Sequence, residues 1–188
     1  MRPIWIFLLW ITGWKIRGKF PYYLKKCVVI VAPHTSSWDF FLGLAVRSKL
    51  RLGYIHFLGK KELFDGPLGF FFRWLGGIPV DRSSSHNLVD QVVQKFISEE
   101  NFSLVLSPEG TRKKVERLHT GFYHIAHLAD VPLVMVGFDF GKKEVVIAEP
   151  FTTSEQAADF RLILDFFVPM QGKVPEKGLA HLMNAQNS

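Results

Sequence analysis

The chain has 188 residues, a formal net charge of +6 at neutral pH and one cysteine. This length suits one compact domain with a full hydrophobic core, and a single cysteine excludes an internal disulfide and favours a reducing setting. The basic balance indicates an anionic partner. Because no recognition helix or aromatic–basic platform accompanies it, we expect anionic lipid, a phosphorylated substrate or an acidic carrier protein, and no nucleic acid.

Residues 1–20 contain a short apolar run with basic residues around it. Hydrophobic residues make up 48% of the chain, yet no stretch approaches the ~20 consecutive apolar residues of a spanning helix. The run at 4–11 includes tryptophans, and Lys15, Arg17 and Lys19 follow it. These residue types favour a membrane–water interface, so residues 1–20 are predicted to be an interfacial, membrane-anchoring segment. The alternative is an amphipathic helix packed on the domain's own core.

Residues 27–32 (Cys-Val-Val-Ile-Val-Ala) are apolar and mostly β-branched, which predicts a strand buried on both faces. Pro33 ends this strand. Ser36 followed by Asp39 is a variant of the helix capping box, so a helix is expected near 36–50. His34 and Asp39 therefore lie between the end of a strand and the start of a helix.

His34 and Asp39 form a candidate base–orienter pair. A neutral histidine can accept a proton from a hydroxyl, and a carboxylate on its other ring nitrogen fixes the tautomer and stabilises the imidazolium. No serine or cysteine is clearly placed as a nucleophile, so the substrate is expected to supply the hydroxyl. The alternative is that Asp39 only caps the helix and His34 is an ordinary loop residue.

A helix near 60–74 is predicted to be rich in aromatic side chains. The chain has 18 phenylalanines, and positions 70–72 are three of them in a row. A helix that is apolar all round packs in a core or faces a membrane. One interpretation is that this element lines an acyl-chain groove or dips into a bilayer surface; the alternative is core packing.

Two further predicted strands end in polar blocks. Gly-Gly-Ile-Pro-Val-Asp-Arg at 76–82 ends in Asp81 and Arg82, and Ser-Pro-Glu-Gly-Thr-Arg at 107–112 follows an apolar strand. The proline and glycine of the second block favour a tight turn that exposes its polar side chains at the carboxyl end of the strand. In open α/β sheets this edge is where ligands bind.

The remaining pattern alternates strands and helices. Strands are predicted near 27–32, 53–57, 77–80, 102–107, 132–138 and 144–149. Helices are predicted near 36–50, 60–74, 86–100, 121–130 and 154–167. This alternation predicts an α/β fold, a single domain over 21–172 with a mainly parallel central sheet flanked by helices, in which residues 141–143 form a hairpin-like turn. The tail at 173–188 is polar and is expected to be loosely held.

The histidines at 119, 124 and 127, with Asp130 close behind, suggest a competing metal site. His124 and His127 would share one helix face, as metal ligands do. No His-Glu-x-x-His or Cys-x-x-Cys accompanies them, so we expect a solvated helix face and no metal.

Four blocks in this order resemble the glycerolipid acyltransferase family, which contains the 1-acylglycerol-3-phosphate acyltransferases. The blocks are His-x4-Asp at 34–39, Gly-x4-Asp-Arg at 76–82, Pro-Glu-Gly-Thr-Arg at 108–112, and an apolar block with proline at 131–136. The resemblance spans about residues 27–138. The sequence departs from the family's usual residues at Pro33, Pro79, Ser107 and Met135. None of these changes removes a polar group expected in the chemistry, but they indicate a divergent branch.

The resemblance implies an O-acyltransferase of phospholipid biosynthesis. It would move a fatty acyl group from a thioester, carried by acyl carrier protein or coenzyme A, to a hydroxyl of a lysophospholipid such as 1-acylglycerol-3-phosphate. His34 would be the general base and Asp39 its partner. Such direct transfer needs no cofactor and no metal. The expected location is the cytoplasmic face of the inner membrane, with the protein held peripherally or as a monotopic protein.

The resemblance also implies roles in substrate binding. Arg82 and Arg112 would clamp the anionic head of the acceptor, because a guanidinium fork matches phosphate or carboxylate geometry. Glu109 and Thr111 would hold its polar backbone, and Gly110 would allow close approach. Each arginine has an alternative role as the structural ion-pair partner of the acid in its own block. Backbone N–H groups near the predicted helix start are plausible oxyanion donors.

Two other functions stay open at this level. The acceptor could be an acylated amino acid, as in ornithine- or glycine-lipid synthesis, with a carboxylate in place of the phosphate. Alternatively, the chain could be a non-catalytic lipid-binding membrane adaptor whose motif residues are only structural.

Overall fold

The computed structural model describes residues 2–80 and 85–185. Within them, the helices are α1 (Arg2–Ile11), α2 (Trp38–Lys49), α3 (Lys61–Asp65), α4 (Gly69–Trp74), α5 (Ser85–Ser98), α6 (Gly121–Leu128), α7 (Gln156–Phe167) and α8 (Leu182–Ala185), with a 3-10 turn at Pro175–Lys177. The strands are β1 (Lys15–Arg17), β2 (Lys26–Ala32), β3 (Ile55–Lys60), β4 (Gly77–Val80), β5 (Phe102–Leu106), β6 (Leu133–Asp139) and β7 (Glu144–Ile147).

These strands form one sheet in the order β1-β7-β6-β2-β5-β3-β4. The pairing of β6 with β7 is antiparallel, and the pairings among β2, β3, β4, β5 and β6 and between β1 and β7 are parallel. The prediction of a single α/β domain with a mainly parallel central sheet is therefore confirmed. The predicted hairpin turn at 141–143 is also confirmed, since it joins the antiparallel pair.

The sheet has helices on both faces, because its central strands are apolar on both sides. One face of β2 packs with α5, α6 and α7 in a cluster that includes Val28, Phe96 and Phe167. The other face packs with α1 and α2 in a cluster that includes Val29 and Leu42. Because both faces of β2 are buried, its sequence is a continuous run of apolar residues.

The helix predicted at 60–74 is two helices. Residue Gly66 lies between α3 and α4 in an extended conformation (φ −80°, ψ 175°). Pro67 follows it, and proline disfavours the helical conformation in the residue before it. The chain therefore leaves the helix at Gly66 and starts again at Gly69. On α4, Phe70 and Trp74 are exposed.

Two terminal segments contribute more to the fold than the sequence indicated. The segment predicted as a membrane anchor also contributes β1 to the sheet edge, a strand too short to show an apolar period. The tail expected to be loosely held places Leu179 and Leu182 in the core beside α7. The polar composition of the tail gave no indication that these two leucines are buried. Among residues 2–80 and 85–185, no helix has the length and apolar character needed to cross a bilayer.

Candidate active site

The loops after β2 and β5 meet at the same edge of the sheet. These strands are parallel neighbours in the middle of the sheet, with Ile30 opposite Leu106 near their carboxyl ends. The chain leaves β2 into the loop at 33–37 and leaves β5 into the loop at 107–112. Loops at the carboxyl ends of adjacent parallel strands are brought together by the sheet itself. The His-x4-Asp and Pro-Glu-Gly-Thr-Arg blocks therefore form one site.

The His34 ring is bonded to the Asp39 carboxylate. The distance from Nδ1 of His34 to Oδ2 of Asp39 is 3.1 Å. Asp39 is 4% exposed, whereas the His34 side chain is 31% exposed. A neutral His34 that donates its Nδ1 proton to Asp39 has an unprotonated Nε2, which is the form required of a general base.

Asp39 is held rigidly by the backbone around it. Its Oδ2 atom also accepts hydrogen bonds from the N–H groups of Thr35 at 2.7 Å and Ser36 at 2.8 Å. Asp39 lies in the first turn of α2, and the oxygen that bonds His34 also ties this turn to the two residues that follow His34. The N–H groups of Thr35 and Ser36 are thereby occupied, so the oxyanion donors expected near this helix start are not these two.

Glu109 is buried beneath the two loops. It is 1% exposed. Its Oε1 atom accepts a hydrogen bond from the backbone N–H of His34 at 2.6 Å, and its Oε2 atom accepts one from Oγ of Ser107 at 2.8 Å. Burial raises the pKa of the Glu109 carboxyl group, and the hydrogen bonds from His34 and Ser107 partly oppose this rise. The contacts of Glu109 fix the position of His34, and its predicted contact with the acceptor stays a prediction.

Arg112 provides a second connection between the loops. Its Nη1 atom donates a hydrogen bond to Oγ of Ser37, the residue before α2. The predicted alternative, an ion pair with Glu109, is not formed among the described residues, where Glu109 bonds to His34 and Ser107 instead. Arg112 is exposed at the site, so its guanidinium retains donors for an anionic group.

Gly110 and Thr111 shape the turn between Glu109 and Arg112. Gly110 has φ +64°, and a Cβ atom there would lie 2.9 Å from Cδ2 of His119. Both the left-handed backbone and the close ring require glycine. Thr111 is half-buried, and its hydroxyl accepts a hydrogen bond from the N–H of Lys113 at 3.3 Å.

Arg82 and its neighbour Asp81 lie outside the described residues, so the predicted head-group role of Arg82 stays a prediction. The strand that leads to them, β4, is described. It pairs with β3 at the far edge of the sheet, and Val80 lies opposite Lys60. Three strand spacings separate β4 from β2, or about 14 Å across the sheet.

Comparisons with known proteins show the family to which the chain belongs. Residues 14–139 match the family model described as Acyltransferase. The chain belongs to the acyltransferase family. The resemblance to the glycerolipid acyltransferases is thus confirmed. The matched region runs from the residue before β1 to the end of β6, and so contains both loops of the site.

Curated relatives with a common printed name are similar to this chain. A 1-acyl-sn-glycerol-3-phosphate acyltransferase of Limnanthes douglasii is 30% identical over 139 residues, covering 69% of this chain and 48% of the relative. One of Cocos nucifera is 31% identical, with 69% and 44% covered. One of Haemophilus influenzae is 36% identical over 86 residues, with 42% and 35% covered. The chain spans about half the length of the plant relatives it matches. No solved structure matches it significantly.

The histidines proposed as metal ligands have other contacts. Nδ1 of His127 lies 3.1 Å from Oγ1 of Thr153, and its ring is stacked on Tyr123. The backbone N–H of His119 donates to the carbonyl of Pro108 at 2.9 Å. Within the part of the chain that the structure describes, no three His, Cys, Asp or Glu side chains are grouped to hold a metal ion.

Three site residues were missed by the sequence reasoning. The Ser37 and Ser107 hydroxyl groups accept from Arg112 and donate to Glu109, respectively, and the Thr35 hydroxyl accepts from the backbone N–H of Val174. Thr35 and Ser37 stand inside the His-x4-Asp block, where the spacing drew attention only to its ends. Ser107 was noted only as a departure from the family pattern. The available signal in the sequence was a hydroxyl-bearing serine two residues before Glu109, at a position where the family usually has phenylalanine.

Proposed function

We propose that this chain is an acyltransferase that moves a fatty acyl group from a thioester to a hydroxyl of a 1-acylglycerol-3-phosphate-like acceptor at a membrane surface. The observation that carries the proposal is the bonded pair of His34 and Asp39, with Glu109 bonded to the His34 backbone. Membership of the acyltransferase family and the printed name of the relatives agree with it. The acceptor, the donor and the membrane location are inferred from chemistry.

The chemistry follows from the protonation state of His34. Nε2 of His34 takes the proton from the acceptor hydroxyl as its oxygen attacks the thioester carbonyl. Asp39, held by two backbone N–H groups, stabilises the imidazolium that forms. When the tetrahedral intermediate collapses, the carbon–sulfur bond breaks, the ester forms and the imidazolium returns its proton to the thiolate. The two substrates supply every atom of the products.

The acceptor's charge is matched by Arg112. This exposed guanidinium lies beside the loop that carries His34, because it donates to Ser37. A phosphate bound by its remaining donors would keep the rest of the acceptor close to His34. Lys113, Lys114 and Arg117 follow on the same exposed loop and add a positive field that attracts an anionic acceptor or donor.

The membrane part of the proposal rests on exposed apolar side chains. On α1, Ile4, Phe7, Leu8, Trp10 and Ile11 are exposed, whereas Leu9 is buried against the core. The helix thus packs on the domain through one side and leaves an apolar surface uncovered. Near the site, Trp38 and Phe41 of α2 are exposed as well. Apolar surface of this kind, beside the cations that follow α1, suits the interface of an anionic bilayer.

An acyl-transfer assay tests the proposal. The purified chain is incubated with a labelled acyl group on coenzyme A or on acyl carrier protein, in parallel reactions. The acceptors are 1-acylglycerol-3-phosphate, a lysophospholipid with a choline head, and an N-acylated amino acid. We expect ester formation with 1-acylglycerol-3-phosphate and none in His34→Ala. Faster turnover of the N-acylated amino acid would reassign the acceptor, and acceptor binding without turnover would favour the adaptor.

A further inference from the structure

A segment outside the family match bonds to the His34 loop and to the chain that follows the Glu109 loop. The match ends at residue 139, and the chain continues through β7 and α7. Residues 170–182, here called the C-terminal strap, then return to the carboxyl edge of the sheet. The strap contacts the His34 loop at one point and the chain following the Glu109 loop at another.

The first contact is with Thr35. The backbone N–H of Val174 donates a hydrogen bond to Oγ1 of Thr35 at 3.1 Å. Thr35 is 1% exposed. The strap passes so close that a Cβ atom at Gly172 would lie 2.6 Å from Cγ2 of Thr35 and 2.8 Å from its hydroxyl oxygen. Glycine at position 172 is therefore what lets the strap backbone reach this side chain.

The second contact is with the chain that follows Arg112. Nε2 of His181 lies 2.6 Å from the carbonyl oxygen of Val115. A carbonyl oxygen only accepts, so His181 is the donor. The strap thus bonds to Thr35 in the loop after β2 and to Val115, three residues beyond the loop after β5.

The strap is itself firmly held. Leu179 and Leu182 are buried in the core. At its start, the carbonyl of Gln171 accepts a hydrogen bond from the N–H of Phe140 at 2.8 Å, and Met170 packs directly over Gly137 of β6. A segment fixed at both ends can hold a loop in place between them, because the ordering of its own backbone is already compensated by buried contacts.

We infer that the C-terminal strap positions the catalytic pair, and that Thr35 is the positioning residue through which it acts. Thr35 accepts from the strap with its hydroxyl and donates its N–H to Oδ2 of Asp39, the oxygen that also binds His34. Loss of the strap contact frees Thr35 and, with it, Asp39. The inference rests on the proposed acyl transfer for its catalytic consequence, but the loop geometry is measurable without it.

The test compares Thr35→Val with Thr35→Ser. Valine keeps the shape of threonine and removes the acceptor of the strap hydrogen bond, whereas serine keeps the hydroxyl. We expect Thr35→Val to lower kcat by about 10-fold to 100-fold through misplacement of the base, with KM values nearly unchanged. Thr35→Ser should restore most of the rate. Thr153→Val is the matched control, because it removes a hydroxyl contact outside both loops.

The amide hydrogen exchange rates of Thr35 and Ser36 provide a second test that does not depend on catalytic activity. Both N–H groups donate to Asp39, so their exchange should speed up in Thr35→Val and in Gly172→Ala, which pushes the strap away, but not in Thr153→Val. Unchanged exchange in both variants, with kcat as in the wild type, overturns the inference. A wild-type chain without transfer activity overturns the proposed function instead, and the exchange rates alone then decide whether the strap holds the loop.

Discussion

Glu109 accepts a hydrogen bond from the backbone N–H of His34 at 2.6 Å, although the two residues belong to different blocks of the sequence. The bond joins the loop after β2 to the loop after β5 beneath the exposed surface of the site. Because Glu109 is buried and also bonded to Ser107, the position of the His34 backbone is set from below. The Asp39 carboxylate orients its ring.

His34 and Asp39, the proposed catalytic pair, give the first prediction. His34→Ala should abolish acyl transfer. Among the described residues, no other side chain is bonded to Asp39 and able to take the proton of the acceptor hydroxyl in place of His34. Asp39→Asn should lower kcat by up to about 10⁴-fold, since the amide no longer favours the tautomer with Nδ1 protonated. Rates with a thioester donor and 1-acylglycerol-3-phosphate are the measurement.

Two controls accompany the His34 and Asp39 variants: a test of folding and the substitution of a histidine outside the site. Circular dichroism should show that both variants retain the wild-type helix and strand content. His127→Ala removes a histidine that contacts Thr153 instead of a site carboxylate and should leave the rate unchanged. Near wild-type activity in His34→Ala would remove the proposed mechanism.

Glu109 gives a prediction about the pH dependence of stability. Burial raises the pKa of its carboxyl group in the folded chain, above the ordinary value of about 4.3 expected when unfolded. Between these two values the unfolded chain releases a proton that the folded chain keeps, so the free energy of unfolding falls as pH rises. Glu109→Gln keeps an oxygen that accepts from His34 and removes this titration.

Denaturant unfolding of the wild type and Glu109→Gln, from about pH 4 to about pH 8, measures the effect. The stability of the wild type relative to the variant should be greatest at the acid end. It should decline with rising pH and level off above the raised pKa. The opposite slope would show that the hydrogen bonds from His34 and Ser107 outweigh burial, and that the folded carboxyl group has a lowered pKa.

Arg112 gives a prediction about substrate affinity. Arg112→Lys keeps the charge but loses the planar fork and its several donors. We expect KM for the anionic acceptor to rise by about tenfold or more, with a much smaller change in KM for the donor. Ser37→Ala is the control, because it removes the contact with Ser37 and leaves the guanidinium intact. Equal KM values in Arg112→Lys and the wild type would assign Arg112 only to joining the two loops.

The exposed side of α1 gives a prediction about membrane binding. Phe7 and Trp10 are exposed, Trp10 by 74%, whereas Leu9 on the same helix is 3% exposed. Phe7→Ser with Trp10→Ser should therefore weaken co-sedimentation with anionic vesicles by about tenfold or more without unfolding the domain, since each buried aromatic side chain contributes about 1.5–3 kcal/mol at an interface. High salt should also weaken vesicle binding of the wild-type chain, because salt screens the attraction between the flanking cations and the anionic lipids.

Ile97→Ser is the matched control for the membrane test. Ile97 is 62% exposed on α5, which packs on the face of the sheet opposite α1. Its loss should leave vesicle binding unchanged. If the α1 double variant binds as the wild type does, the exposed side chains Phe70 and Trp74 of α4 become the candidate contact, and Phe70→Ser with Trp74→Ser tests it.

Local sequence determined the order of elements and the chemistry of the blocks. The apolar run at 27–32, its closure by Pro33 and the polar residues after it were enough to place His34 and Asp39 between a strand and a helix. The His34–Asp39 contact spans few residues and depends on one turn of backbone. Interactions of this range follow from local rules, so the sequence alone could predict them.

The tertiary structure decided which distant residues meet. The sheet order places β5 next to β2, and only that adjacency brings Glu109 under His34 and Arg112 to Ser37. The same packing buries the Glu109 side chain beneath the two loops, and the substrate contact expected from the sequence stays a prediction. The strap contact between Val174 and Thr35 joins residues far apart in the chain. No periodicity or motif encodes such a contact, because it depends on how the helices and strands pack and on Gly172 leaving room for the backbone to pass.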